Sequence, residues 1–513
     1  MAIAVTKNRS QRSDFGPRRR CLKRSNFQIN SQFHLPALKE TDIKARIFRA
    51  LLALSFVWIG SKAIQAKDVK RNNVILFLID DLGWKDLGCY GSNFYHTPNI
   101  DKLASQGVRF TDAYAACAVC SPTRAAILTG KYPARIMLTE WLPSGRWNPK
   151  AKLRSGRFLR SLPLEEKTLA ETLRESGYRT CIVGKWHLGG EPFNTARHHG
   201  FDDSIAANDH GNPGNYFHPY KGRWSIPTTK LKATWQVLPG GKEGEYLTDR
   251  LTDEALTFIR ENQQRPFFLY LSHYAVHTPL QAKKAMVEKY KSVPKEKRQG
   301  NPVYAAMVES VDQSVGRVMK ELKALKLDED TLVIFTSDNG GFAGATNHAP
   351  LRGNKGSYYE GGIRVPLIMR WPGVAQSGKV NNTPVISMDL YPTCLTAAGL
   401  PMHPAQHRDG IDLSPLLKGE KRLRRKALHW HYPHYNSHPS AVPSSVLRKG
   451  NWKLIEAFDP KSIELYNLKT DLGETKNLAD VEQEKLAELQ KELNDWRESV
   501  GAEKMEPNPD FQN

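Results

Sequence analysis

Residues 73–83 read NVILFLIDDLG. Six apolar residues in a row, Val74 to Ile79, stop abruptly at Asp80 and Asp81. An unbroken β-branched and aromatic run of this length, without polar alternation, reads as a strand buried on both faces. Such strands occur in parallel sheets covered by helices. Charged residues directly after the strand fall at the carboxyl edge of the sheet, where open α/β sheets bind their ligands.

The same texture recurs three times. YRTCIVGKWHLG (178–189) ends at Lys185 and His187, RPFFLYLSHYAVHTP (265–279) runs through His273 to His277, and DTLVIFTSDNGG (330–341) ends at Asp338 and Asn339. Between these runs NIDKLASQGV (99–108), KTLAETLRESG (167–177), LTDEALTFIREN (251–262) and VYAAMVESVDQSVGRVMKELKAL (303–325) carry apolar residues at steps of three and four. That is the period of a helix with one buried face. The alternation predicts an α/β fold with a large, mostly parallel sheet sandwiched by helices. One strand end with polar residues is ordinary. Four delivering Asp, Lys, His and Asn to one edge predict a site.

From Lys426 onward the pattern shortens. ALHWHYPHY (427–435), SSVLRKGNWKLIEAF (444–458) and SIELYNLKTDLGETKNLAD (462–480) predict a small antiparallel sheet, followed by a helix with Leu486, Leu489, Leu493, Trp496 and Val500 on one stripe. That stripe is read as core packing. The expected organisation is an N-terminal extension over 1–66, a catalytic domain over 67–425 and a small α+β subdomain over 426–513. The extension holds Lys44, Arg46 and Arg49 ahead of an apolar run from Ala50 to Gly60, then small residues to Ala66. This is the layout of a signal peptide over residues 44–66, and the run is shorter than the ~20 residues that span a membrane. A periplasmic or secreted protein without a membrane anchor after cleavage is expected. Residues 1–66 carry 13 Lys+Arg against 3 Asp+Glu, which lowers the +21 of the whole chain to +11. A positive balance suits an anionic substrate. No basic run with interleaved aromatics appears, so no nucleic-acid partner is expected.

CAVCSPTRAAILTG (117–130) poses the sharper question. The pair Cys117 and Cys120 has the spacing of a redox or zinc half-site, yet no second Cys or His pair stands at zinc-ligand spacing. The alternative uses Cys120 alone. Ser121 is expected to cap a helix, Pro122 to open it and Gly130 to close it, which puts Cys120 at a helix N-terminus, a favourable place for an anion. Arg124 follows one turn on. Cys89, Cys181 and Cys394, with this pair, give no disulfide framework.

CSPTRAAILTG resembles the signature of the type I sulfatases, C-x-P-x-R followed by Thr-Gly, within the alkaline phosphatase superfamily. The resemblance implies that Cys120 is oxidised after translation by a formylglycine-generating enzyme to 3-oxoalanine (formylglycine), whose hydrate is the nucleophile. It also assigns the strand ends in chain order. Asp80, Asp81, Asp338 and Asn339, with residue 120, match the metal ligands; Arg124, Lys185, His187, His277 and Lys355 match the family's catalytic residues. Asp and Asn oxygens suit a hard ion, so Ca²⁺ is expected, with Mg²⁺ the alternative. By analogy His277, with Lys355 nearby, protonates the leaving alcohol, and His187 takes the proton that expels sulfate. Asp209, His210 and His348 lie where family members build substrate contacts.

The expected activity is hydrolysis of sulfate esters on sulfated carbohydrates. Rival readings are a phosphodiesterase or phosphonate monoester hydrolase of the same superfamily, and a non-catalytic binder of sulfated polysaccharide. His429, His431, His434 and His438 in HWHYPHYNSH read as a polar edge strand, a sugar-binding rim or a second metal site.

Overall fold

Strand β1 (Asn73–Ile79) is buried at every residue and sits inside an eight-stranded sheet. The structure is a computed structural model that describes residues 71–142, 150–225 and 232–511. The expected signal peptide at 44–66 therefore lies outside the described residues. No helix among the described residues is long and apolar enough to cross a membrane.

The other strands of the sheet are β2 (Val108–Phe110), β3 (Arg179–Gly184), β4 (Asp203–Ile205), β5 (Phe267–His273), β6 (Thr331–Ser337), β7 (Leu367–Arg370) and β8 (Lys379–Asn381). Their order is β8-β2-β7-β6-β1-β5-β3-β4. The five from β6 to β4 run parallel, whereas β7 is antiparallel to both of its neighbours. Alternate residues of β1 feed two cores, Ile75, Phe77 and Ile79 on one face and Val74, Leu76 and Leu78 on the other. The first face is covered by α1 (Pro98–Ser105), α4 (Leu247–Glu261) and α5 (Pro302–Ala324); the second by α2 (Cys120–Thr129), α3 (Leu169–Glu175) and α6 (Leu390–Ala397). Two covered faces explain why the strands carry no polar alternation.

A second sheet is antiparallel, β9 (Leu428–Tyr432), β10 (Ser444–Lys449), β11 (Trp452–Phe458) and β12 (Lys461–Asn467), in that order. Helix α7 (Gln483–Ser499) buries Leu486, Leu489 and Leu493 against Leu447, Leu454 and Leu465 of this sheet, so the predicted stripe is core. The sheet's other face shares a core with residues 114–119, the loop that leads into Cys120.

Helix α2 begins two residues earlier than expected. Val119 is the extended cap residue (φ −138°, ψ 161°), Cys120 is the first helical residue, and Ser121 does not cap. The turn is instead tied by Thr123, whose hydroxyl accepts from the Cys117 N–H (3.0 Å) and donates to the Cys117 carbonyl (3.1 Å). Pro122 falls third in the helix, where an N–H has no intrahelical acceptor. The Ser121 hydroxyl accepts from the Leu142 N–H (3.0 Å). Gly130 closes the helix at φ 67°, as expected of a left-handed terminus.

Candidate active site

The parallel register assembles the site. Ile79 of β1 lies opposite Ser337 of β6 on one side and His273 of β5 on the other, while Gly184 of β3 lies opposite Ser272. The residues that follow these positions therefore meet at one sheet edge: Asp80 and Asp81 after β1, Asp338 and Asn339 after β6, His277 after β5, Lys185 and His187 after β3. Cys120 and Arg124 arrive on the first turns of α2. Lys355 comes from the loop ahead of β7.

The carboxylates and cations interlock in a buried cluster. Lys185 Nζ stands 2.7 Å from Asp80 Oδ2, and Lys355 Nζ 2.7 Å from Asp81 Oδ1. Arg124 grips Asp338 Oδ2 through Nη2 (2.7 Å) and Nε (3.0 Å), and donates to Ser272 Oγ (2.6 Å). Side chains of Asp80, Asp81, Asp338, Arg124 and Lys185 are fully buried. Three carboxylates face three cations, so each charge has a partner, as burial demands. Asp80 has the weakest support: burial pushes it up to about 8, with Asp338 and Asp81 adding to the shift against the pull of Lys185. Burial acts on Asp81 and Asp338 as well, but Lys355 holds the first, and Arg124 the second, below the usual carboxylate range.

The donor set fits a hard divalent ion. Ligand atoms of Asp80, Asp81, Cys120 and His277 lie within 4.8 Å of one another. The Asn339 amide nitrogen donates to Asp81 Oδ1 (2.8 Å) and the Gly340 carbonyl (2.9 Å), which fixes the amide orientation. Its Oδ1 is left buried without a hydrogen-bond partner. An orphaned carboxamide oxygen among three carboxylates fits a cation that prefers oxygen.

Backbone strain marks two of these residues. Asp81 (φ 62°) and His187 (φ 59°) adopt the left-handed conformation, uncommon for residues with a side chain and concentrated at functional sites. His187 Nε2–H donates to the Leu142 carbonyl, which leaves Nδ1 as a bare acceptor, buried and unpartnered. His277 Nδ1–H donates to the Thr278 carbonyl (2.8 Å), so Nε2 faces Asp81 Oδ2 at 3.6 Å. Burial pushes the Cys120 thiol up to about 12 despite Lys185 and Lys355. As a thiol it is a poor nucleophile. Cys117 stands apart, its sulfur 3.1 Å from the Tyr358 hydroxyl.

Above Cys120 opens a cleft of about 610 Å³ lined by His187, His277 and Lys355, and by residues the sequence reading missed: Trp141, Asn212, Arg223, Trp235 and Phe342. These sit on loops and a hairpin, which carry no periodic signal. Of the expected substrate contacts, His210 lines the cleft, stacked on Trp235 with centroids 4.1 Å apart. Asp209 lies behind it, its carboxylate 3.7 Å from His210 Nε2. His348 does not line the cleft: its ring is buried against Gly83 and Gly341, with Nε2 3.1 Å from the Gly341 carbonyl. The histidine cluster divides. His429 stacks on Trp496, His431 bonds Ser445 and the Glu503 carbonyl, His434 bonds Thr139, and His438 alone of the four lines the cleft.

A model of the Sulfatase family matches residues 72–400, well over half of the chain. The chain belongs to the sulfatase family. A second model, N-sulphoglucosamine sulphohydrolase, C-terminal, matches residues 354–500 of this sulfatase. Among curated relatives, a "Sulfatase" of Formosa agariphila is 36% identical over 478 residues, covering 80% of this chain and 84% of its own. The N-acetylgalactosamine-6-sulfatase of Canis lupus familiaris is 35% identical over 401 residues, covering 75% and 72%. The solved structure of Ps i-CgsB in complex with k-i-k-neocarrahexaose matches with a TM-score of 0.69 at 31% identity, over 86% of this chain and 94% of that one. This sulfatase is accordingly a sulfuric ester hydrolase, of a family that generally uses formylglycine and a divalent metal.

Proposed function

We propose that the enzyme removes sulfate from sulfated carbohydrates, with formylglycine at position 120 as nucleophile and Ca²⁺ held by Asp80, Asp81, Asp338 and Asn339. Mg²⁺ is the alternative ion; four protein oxygens from two strand ends suit the larger, more flexible shell of Ca²⁺. The observation that carries this reading is the orphaned Asn339 oxygen amid three buried carboxylates, directly beside the first residue of α2. The names of the relatives support the carbohydrate class.

Bound there, the dication supplies Lewis-acid polarisation of the sulfate and orientation of the nucleophile. The hydrated aldehyde at position 120 supplies the hydroxyl that attacks sulfur. The chain's own residues do the rest. Arg124, Lys185 and Lys355 balance the three carboxylates, so the ion's charge remains to attract and stabilise an anionic ester. Once an ester is seated, His277 would carry a proton at Nε2 to the departing alcohol. Burial, with Lys355 adding to it, pushes this imidazole down to about 3, so the negative charge of the seated ester is what brings the proton to it. His187, neutral and bare at Nδ1, accepts the proton whose loss releases sulfate. Residues 44–66 are taken as a signal peptide for periplasmic or secreted delivery, 67–425 as the catalytic domain and 426–513 as the smaller subdomain. A formylglycine-generating enzyme is the maturation partner.

The test is sulfate release from a panel of singly sulfated sugars, with the mass of the tryptic peptide Phe110–Arg124 read in the same preparation. Aldehyde at position 120 together with turnover, both absent in Cys120→Ala, is the expected result. Active protein with intact thiol would remove the nucleophile assignment, and turnover of phosphodiesters or phosphonates alone would move the enzyme to the rival class.

A further inference from the structure

The described wall of the cleft carries cations without a lining carboxylate. Among the described residues that line it, none is acidic, and its lysine and arginine side chains are Lys355 and Arg223. Lys355 is held on the floor by Asp81 at 2.7 Å. Arg223 stands exposed on a hairpin, strand Lys221–Ser225 paired with Lys232–Gln236, and has no carboxylate within ion-pair distance among the described residues. The hairpin is shaped around the wall. Gly222 lies opposite Trp235 in the register, and a Cβ there would come within 2.3 Å of the Trp235 ring. His210 stacks on that ring, and the indole Nε1–H is buried without an acceptor.

A neutral sugar presents hydroxyls, which donate as well as accept and are usually met partly by carboxylates. A wall that lacks a carboxylate and presents a guanidinium with no ion-pair partner among the described residues is complementary to a substituent that only accepts. On the reading that the enzyme acts on sulfated carbohydrate, we propose that its preferred substrate carries a second anionic substituent, sulfate or carboxylate, which Arg223 engages while the scissile sulfate lies beside Lys355. The guanidinium fork matches either group through two parallel hydrogen bonds. The hairpin is thereby the element that selects the doubly charged sugar.

The experiment uses the full matured enzyme, with the aldehyde at position 120 verified, on matched disaccharides. One carries the scissile sulfate alone, one adds a second sulfate, one adds a uronate carboxylate. The ratio of kcat/KM between doubly and singly charged sugars is expected to be about tenfold or more for at least one added group. Arg223→Met should collapse that ratio towards one, chiefly through KM, with Arg223→Lys keeping part of it. Raising ionic strength should narrow the ratio in the unmutated enzyme, a readout that needs no variant. Equal turnover of singly and doubly charged sugars, a ratio unchanged in Arg223→Met, or a preference indifferent to salt would each overturn the proposal. No sulfate from any of the three sugars would overturn the carbohydrate reading beneath it, and a singly charged sugar turned over as well as the others would leave that reading standing.

Discussion

His187 shows how narrowly one side chain is confined. Its backbone is left-handed, its Nε2–H is committed to Leu142, and Gly211 lies against its ring. A Cβ at position 211 would stand 2.8 Å from His187 Cε1 and 2.9 Å from Nε2, closer than carbon atoms pack. Gly211→Ala therefore has to turn the imidazole or push the loop aside. The expected outcome is a loss of kcat of about 10²-fold, the scale of a roughly 1 Å misplacement at a reacting group, with the melting temperature nearly unchanged because residue 211 is partly exposed. Unchanged kcat would mean that the position of His187 does not matter to turnover. At this scale the sequence was legible only where chemistry followed a strand. Asp80, Lys185, His277 and Asp338 announced themselves by ending apolar runs. Arg223 and Trp235 sit on a hairpin, where neither period nor strand end marks a wall residue. His348 misled for the converse reason: a His in a Gly- and Pro-flanked loop looks the same in sequence whether its ring faces a cleft or, as here, packs under Gly83.

Among the elements, α2 has the heaviest duty, because its first residue is Cys120 and its second turn carries Arg124. Both ends are fixed by local chemistry. Thr123 ties the entry to the Cys117 backbone, and Gly130 ends the helix at φ 67° with its N–H donating to the Ala126 carbonyl. A Cβ at 130 would meet His407 Cβ at 2.4 Å and its Cα at 2.8 Å. Gly130→Ala thus combines a left-handed alanine with a backbone clash, and a cost of about 2 kcal/mol is expected from thermal or denaturant unfolding. A variant as stable as the parent would show that His407 and its loop yield freely. The closing glycine was readable from sequence; the opening was not. Ser-Pro is a strong helix-start signal, but here the Thr123 hydroxyl reaches back to Cys117 and starts the turn earlier. The strands themselves were plain, since burial on both faces leaves unbroken apolar runs. Their order across the sheet, with β1 between β5 and β6, is set by long-range pairing that no local pattern encodes.

Across the whole molecule, the small sheet holds the nucleophile loop in place as well as filling out a core. Trp430 on β9 donates to the Ala115 carbonyl (2.8 Å), and Tyr432 donates to Glu140 (2.8 Å) next to the Trp141 wall. Beneath them runs a buried ionic tie. Lys453 on β11 pairs with Glu360 (2.9 Å) and Glu474 (2.8 Å), all three side chains fully buried, and Glu360 also accepts from Tyr114 (2.7 Å) on the approach to Cys120. One cation between two carboxylates divides their protons unequally. Burial pushes Glu474 up to about 7, with Glu360 adding to it, whereas Lys453, Arg364 and Arg448 outweigh burial at Glu360 and hold it down at about 2. A carboxyl whose folded value is raised contributes stability at low pH and loses it as pH climbs through that value; one whose folded value is lowered does the reverse. Lys453→Met removes the pull that lowers both groups, so both folded values rise and both carboxyls come to favour the protonated state. The expected result is a destabilisation of about 3–5 kcal/mol at neutral pH. It should shrink as pH falls towards 4.5, the ordinary value of a glutamate, because the two carboxyls then share their charge burden with solvent protons. Melting curves of parent and variant from acid to neutral pH check this directly. The variant's melting temperature should fall more steeply with rising pH, and parallel profiles would show that Lys453 is not what lowers the folded values of the two glutamates.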